Sequence, residues 1–408
     1  MKIIVQKFGG TSVATAECRE SAMERVIKAK EDGYAPVVVV SAMGRKGEPY
    51  ATDTLIETVR SIDRDVEARE MDLLISCGEI ISTVVMAQSL KAKGHPAVAM
   101  TGGQAGINTD SNFGNASIVN IDPQSIINYL AEGKIVIVAG FQGVCADGSV
   151  TTLGRGGSDT TATALGGALQ ADVVEIYTDV DGVMTTDPRI LPEAHILEGV
   201  TYKEICEMAH QGAKVIHPRA VEIAMQRNIP LRIKSTFSDA PGTLVTNMQP
   251  DMGVGTDIVS DRLIAGIAHT PNVTQIRVTT VDVPDVRQAD KKIFKAMALA
   301  DISVDFISVQ PEAVLYTVRD DIADKAIKIL QNMGFSPEIV RGCAKVSIVG
   351  AGIAGVPGVM ADMVESLSEA GVTILQSADS HTTIWVLVHK EDMVAAVQAL
   401  HKRFNLGV

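Results

Sequence analysis

Up to residue 245 the chain alternates short, continuous apolar runs with longer stretches in which apolar residues recur every three or four positions. The runs IIV (3–5), VVVV (37–40), IVIVAG (135–140), VEIYTDV (174–180) and IPLRI (229–233) predict strands buried on both faces, which have no need to alternate. Segments between them, such as ECRESAMERVIKAKEDG (17–33), carry the helical period. Strand and helix in alternation predict a mostly parallel sheet covered on both sides. Several loops after these runs are glycine-rich: KFGG (7–10), SAMG (41–44), TGGQAG (101–106) and AGFQG (139–143). Ligands of open parallel sheets bind at the carboxyl ends of strands, where such loops gather.

The pattern breaks at TNMQPDMGVGTDIVSD (246–261), which has Pro, Gly and polar residues without periodicity and reads as a linker over 246–262. Beyond it the chain repeats itself. Residues 293–318 align with 363–388 at a constant offset of 70, pairing Ile293 with Met363, Met297 with Leu367 and Ile302 with Val372, while VLYTV (314–318) falls on IWVLV (384–388). An unbroken offset through helix, turn and strands predicts two copies of a small β-α-β-β-α-β unit, at 263–340 and 341–408. LIAGIAH (263–269) has no counterpart before the second copy. It is a candidate to pair with that copy, which would nest one module inside the other.

Composition changes this picture little. At 408 residues several domains are expected, and the net charge of −13 argues against nucleic acid or an anionic membrane as the main partner. The five cysteines (Cys18, Cys77, Cys145, Cys206, Cys343) are scattered, without metal-ligand spacing, which suits reduced thiols in a cytosol. Met1 to Lys7 reads as a strand ending in a charge rather than a secretory leader, and no apolar run approaches the roughly 20 residues of a membrane helix. A soluble, cytoplasmic protein is expected.

The chemistry concentrates in TTLGRGGSDTTATALGGAL (151–169). Gly154, Gly156 and Gly157 let backbone approach a ligand, a helix start offers unpaired amides to an anion, and Arg155 can grip a carboxylate with two hydrogen bonds. Ser158 or Asp159 serving only as a helix cap is the competing reading. Neither a P-loop nor a dinucleotide glycine motif is intact. Lys7 with Gly9 and Gly10 could still supply a cation and amides for phosphoryl transfer. Thr178, Asp179, Asp181, Asp187 and Arg189 cluster in IYTDVDGVMTTDPR (176–189), where turn chemistry also accounts for Asp181 and Asp187. GAKVIHPRAVE (212–222) adds Lys214 and a His217 that reads as structural, and Glu79 in SCGE (76–79) would alone be a solvated helix position.

Taken together, KFGGTSV (7–13), VVVVSAMG (37–44), SCGE (76–79), TTLGRGGSDTTA (151–162), YTDVDGVMTTDPR (177–189) and GAKVIHPRA (212–220) resemble the aspartokinases in order and spacing, and the tandem repeat looks like their paired ACT domains. The resemblance spans essentially the whole chain. It implies an amino-acid-kinase fold, a three-layer αβα sandwich, over 1–245, followed by two α+β ferredoxin-like ACT domains. The implied reaction is ATP-dependent phosphorylation of the L-aspartate side-chain carboxylate to 4-phospho-L-aspartate, the first step toward lysine, diaminopimelate, threonine and methionine.

By resemblance, Glu79 pairs with the substrate ammonium, Arg155 holds the α-carboxylate, and Ser41, Thr52 and Ser158 lie near the reacting carboxylate. Lys7 and Lys214 neutralise phosphates, Gly9 and Gly10 give amides, Asp159 orients Lys7, and Thr178, Asp179 and Arg189 contact nucleotide. Magnesium comes with ATP and no protein ligand is assigned. Asp305, Ser308, Gln310, Ser377, Ala378 and Asp379 are the effector candidates, with diaminopimelate, lysine or threonine as ligand; the closest likeness is to the diaminopimelate-sensitive bacterial type. A homo-oligomer through the ACT domains is implied, and Met248 and Met252 stand where some members start a separately translated regulatory subunit. Two rivals remain: another carboxylate kinase of the same fold, and a non-catalytic amino-acid sensor.

Overall fold

The computed structural model describes residues 1–213, 215–247, 263–280, 286–353 and 355–407. Lys214, Met248, Met252, most of the 246–262 linker and part of TTVDVPDV (279–286) lie outside the described residues. Two compact units account for the chain: 1–184, 196–210 and 214–261 form the first, and 185–195, 211–213 and 262–408 the second.

The first unit is built on an eight-stranded sheet in the order Gly199–Thr201, Thr243–Thr246, Leu231–Ser235, Val173–Thr178, Lys2–Phe8, Tyr34–Val40, Ile135–Ala139, Ala97–Met100. The five strands expected from apolar runs occupy consecutive central places. Every neighbouring pair is parallel except Leu231–Ser235 with Thr243–Thr246. Val37–Val40 and Ile135–Ala139 are fully buried, as continuous apolar strands covered on both faces must be. Phe8, Val38, Val40, Ile135 and Ile137 pack with Met23 and Val26 of helix Ala16–Glu31 and Met86 and Leu90 of helix Ala68–Ala92. Lys7 leaves the opposite face, where helix Gly157–Leu169 packs.

Helix Ala68–Ala92 is long and apolar enough to cross a bilayer by length and composition, although its apolar residues are interrupted and form no continuous run. Half of its apolar window is buried inside the protein, and it serves as a core helix. A four-stranded sheet, Ile118–Ile121, Ile107–Thr109, Gln142–Val144 and Val150–Thr152, supports the glycine loop that follows Thr152. Its three- and four-residue strands carry too little pattern to be read from sequence.

The second unit is a six-stranded antiparallel sheet in the order Asp305–Val309, Ala313–Arg319, Gly266–Thr279, Glu338–Val349, Thr383–His389, Gln376–Asp379. The residues read as a separate strand before the first copy run into that copy's first strand. Gly266–Pro271 pairs with Ala344–Val349 of the second copy, and Val273–Thr279 pairs with Ala313–Arg319 of the first. Asn272, in the left-handed region at φ 63°, marks the change of register. Among the described residues no strand follows helix Met393–Arg403, and Gly266–Pro271 pairs with the second copy's first strand instead, so each half of the sheet has four strands. Two pieces of the expected 1–245 domain also fold here. Thr185 accepts the Ile267 amide (2.7 Å), and Ile190 packs on the second copy's core.

Candidate active site

Strands Lys2–Phe8 and Tyr34–Val40 lie side by side and in parallel, so their loops leave the same edge of the sheet. Within the KFGGTS loop, a Cβ on Gly10 would sit 2.6 Å from the Ala42 carbonyl oxygen and 2.9 Å from that of Gly44, so only glycine lets the loops close. The Gly44 amide donates to the Gly10 carbonyl (3.1 Å) and seals the contact.

These loops, the Leu153–Gly156 turn and helices Thr52–Arg60 and Ala68–Ala92 surround a cavity of about 670 Å³. Lys7, Gly10, Ser41, Thr52, Glu79, Arg155, Ser158 and Asp159 line it. Residues up to 152 positions apart thus converge (159 − 7). Lys7 and Asp159 form an ion pair at 2.6 Å with side chains only 12% and 13% exposed. Helix Gly157–Leu169 starts at Gly157 with Gly156 left-handed (φ 69°), and no side chain caps it. The capping reading for Ser158 and Asp159 therefore fails, and the amides of that helix start have no side-chain partner. A Cβ on Gly156 would come 2.2 Å from the His217 ring, which itself caps helix Pro218–Arg227, so His217 is structural. Arg219 pins the same turn by donating to the Leu153 and Ala116 carbonyls at 2.8 and 3.0 Å.

Glu79 is buried, not solvated. Its Oε1 accepts the Ala42 amide at 3.1 Å, whereas Oε2 is buried without a partner. Burial pushes its carboxyl up to about 8 against the pull of the Ala42 amide. Arg155 is exposed on the cavity wall and makes no ion pair or hydrogen bond among the described residues.

The sequence reading missed Asp72, Arg60 and Arg64. Asp72, fully buried, takes the Gly114 and Thr152 amides at 2.9 and 2.7 Å and the Thr152 hydroxyl at 2.7 Å, tying helix Ala68–Ala92 to the small sheet. Its place seven residues before Glu79, on one helix face, was the available signal. Arg60 and Arg64 are exposed on the cavity wall. A lone surface arginine carries no sequence signal.

Other candidates stand outside the cavity lining. Gly9 begins the Gly10–Val13 turn, where a Cβ would only touch Lys7 Nζ at 3.7 Å. Thr178 ends the strand beside Lys2–Phe8 and donates to Asp179 (3.2 Å), which pairs with Arg45 at 3.0 Å. Arg189 belongs to the second unit and grips Asp187 with two nitrogens, holding that carboxyl below its usual range. Lys214 lies outside the described residues.

In the second unit, Ser377, Ala378 and Asp379 line a separate cavity of about 480 Å³ together with Gly355, Val356 and Gly358 of the glycine-rich loop. The first-copy candidates do not. Asp305 takes the buried Lys345 ammonium at 2.5 Å, and Ser308 bonds Gln310 at 3.4 Å.

Residues 2–235 match the amino acid kinase family and residues 338–402 match the ACT domain. Aspartokinase 1 of Bacillus subtilis is 53% identical over the full length of both chains, and the aspartokinase of Geobacillus stearothermophilus is 42% identical over 100% of this chain and 98% of that one. The chain belongs to the aspartokinase family. Escherichia coli aspartokinase III in complex with aspartate and ADP superposes with a TM-score of 0.77 at 27% identity, covering 98% of this chain and 99% of that one. As an aspartokinase the chain is an ATP-using aspartate kinase regulated through its ACT region, which removes both rival readings.

Proposed function

We propose that the 670 Å³ cavity holds aspartate and the reacting phosphate, with Glu79 on the substrate ammonium, Arg155 on the α-carboxylate and Lys7 on the γ-phosphate. The buried, unpartnered Oε2 of Glu79 is the observation that carries this assignment. A carboxylate with one oxygen spent on a backbone amide and the other facing a polar cavity is completed by an ammonium donor. Arg155, lining the same cavity, then selects the second pole of an amino acid. Ser41, Thr52 and Ser158 support orientation of the side-chain carboxylate.

That carboxylate is already ionised near pH 7, so one of its oxygens attacks phosphorus without a general base while ADP departs. Lys7, steadied by Asp159, and the Gly9 and Gly10 amides offset the charge on the transferring oxygens. The cavity's carboxylates are otherwise committed: Asp72 to three hydrogen bonds, Asp159 to Lys7, and Glu79 to the Ala42 amide and the substrate ammonium. Magnesium therefore fits as an ion carried by phosphate oxygens and water, where it supplies charge neutralisation. Lys214, Thr178 and Asp179 complete the nucleotide side of the proposal, whereas Arg189, in the second unit and bonded to Asp187, is left out of it.

The 480 Å³ cavity is the proposed effector site, with the amides at the start of helix Val359–Glu369 for a carboxylate and Asp379 for an ammonium. The two outer strands of the six-stranded sheet, Asp305–Val309 and Gln376–Asp379, are suited to pair with a second copy. Five free thiols support a cytoplasmic setting. The deciding assay traps acyl phosphate with hydroxylamine, aspartate against glutamate. Wild type turns over aspartate alone, and Arg155→Ala raises the aspartate KM about 10- to 100-fold, as loss of a charged hydrogen-bonding pair requires. An unchanged KM removes the role given to Arg155.

A further inference from the structure

Outside the catalytic cavity, helices Tyr202–His210 and Pro218–Arg227 of the first unit pack against each other and carry a second cluster of donor groups. Cys206 and His210 are four residues apart and share one helix face, with Sγ 3.8 Å from Nδ1. Glu222 approaches from the facing helix, and the three donor atoms lie within 4.8 Å of one another. Among the described residues this is the one such group of three.

We propose that Cys206, His210 and Glu222 hold a zinc-class divalent cation. The donor set is sulfur, nitrogen and one carboxylate, which suits a borderline cation and not magnesium. The spacing fits as well. Zn–S of about 2.3 Å and Zn–N of about 2.0–2.1 Å, meeting at a tetrahedral angle, place S and N about 3.6 Å apart. His210 and Glu222 are exposed and Cys206 is half-buried, so an ion and a fourth, water ligand reach the site from solvent. Binding exchanges the Cys206 S–H proton, released to buffer, for an S–metal bond, and nothing is oxidised or reduced. The cation would clip together the two helices that flank residues 211–217.

Cobalt(II) is the probe, added to chelator-treated full-length protein without nucleotide. Wild type is expected to bind one cobalt per chain with sulfur-to-cobalt charge-transfer absorption that zinc abolishes. Cys206→Ser loses the absorption. Glu222→Gln and His210→Gln, which keep the thiol, each weaken cobalt binding at least about tenfold, while metal-free turnover and melting temperature stay at wild-type values. Cys77→Ser, removing an exposed thiol elsewhere, changes nothing. Absence of the absorption in wild type, its survival in Cys206→Ser, its loss in Cys77→Ser, or unchanged affinity in both Glu222→Gln and His210→Gln overturns the proposal. If Cys206→Ser does not fold, the other two variants decide.

Discussion

With Glu79 on the substrate ammonium, as proposed above, the upward push of burial on its carboxyl makes aspartate binding a proton-release reaction. A rise from 4.5 to about 8 corresponds to about 5 kcal/mol of preference for the neutral acid in the empty cavity. At pH 7 about one empty enzyme in ten then carries the carboxylate, and at pH 6 about one in a hundred. The substrate ammonium pairs with the ionised form, so apparent aspartate affinity should strengthen about tenfold per pH unit from 6 to 7 and level off above about 8. Calorimetry at pH 7 in two buffers of different ionisation enthalpy should count close to one proton released per aspartate bound.

The same shift acts on stability. Because the folded pKa is raised, stability from the protonated acid is fully present below about 4.5 and is lost as pH rises toward 8. Glu79→Gln should therefore gain on wild type in melting temperature as pH rises through that window, while its aspartate KM loses the steep pH slope. A wild-type KM that is flat from pH 6 to 8, or a Glu79→Gln profile with the wild-type slope, would refute the reasoning.

Two further outcomes follow from the geometry. Gly156→Ala meets both a left-handed backbone and the His217 ring 2.2 Å away, so it should cost about 1–3 kcal/mol in denaturant unfolding and depress turnover by displacing Arg155. Asp379→Asn should weaken inhibition by an amino-acid effector at least about tenfold, read from dose–response curves, and leave uninhibited turnover unchanged.

The sheet was legible because its central strands are simple. Val37–Val40 and Ile135–Ala139 are apolar at every position, and burial on both faces demands that. The offset of 70 between the copies was legible because the two modules share one packing solution. Part of the candidate site was legible too: the glycine loops and Lys7, Arg155 and Asp159 stand in compact motifs and meet at one cavity. Asp72 was not, since a buried carboxylate looks like any helical aspartate until its amide partners arrive from positions 114 and 152. Cys206 and His210 hid for a similar reason: a pair four residues apart carries no metal-ligand signal until the third donor arrives from a second helix.

The sequence by itself determined the fold class and the family and marked the candidate site residues, because local periodicity and short motifs depend on neighbours along the chain. Only the tertiary structure decided that Glu79 is buried with an unpaired oxygen, that Gly266–Thr279 serves both regulatory modules, and that 185–195 folds with the second unit. Burial, strand pairing and desolvation depend on residues tens to hundreds of positions away, and that distance is settled only when the chain closes on itself.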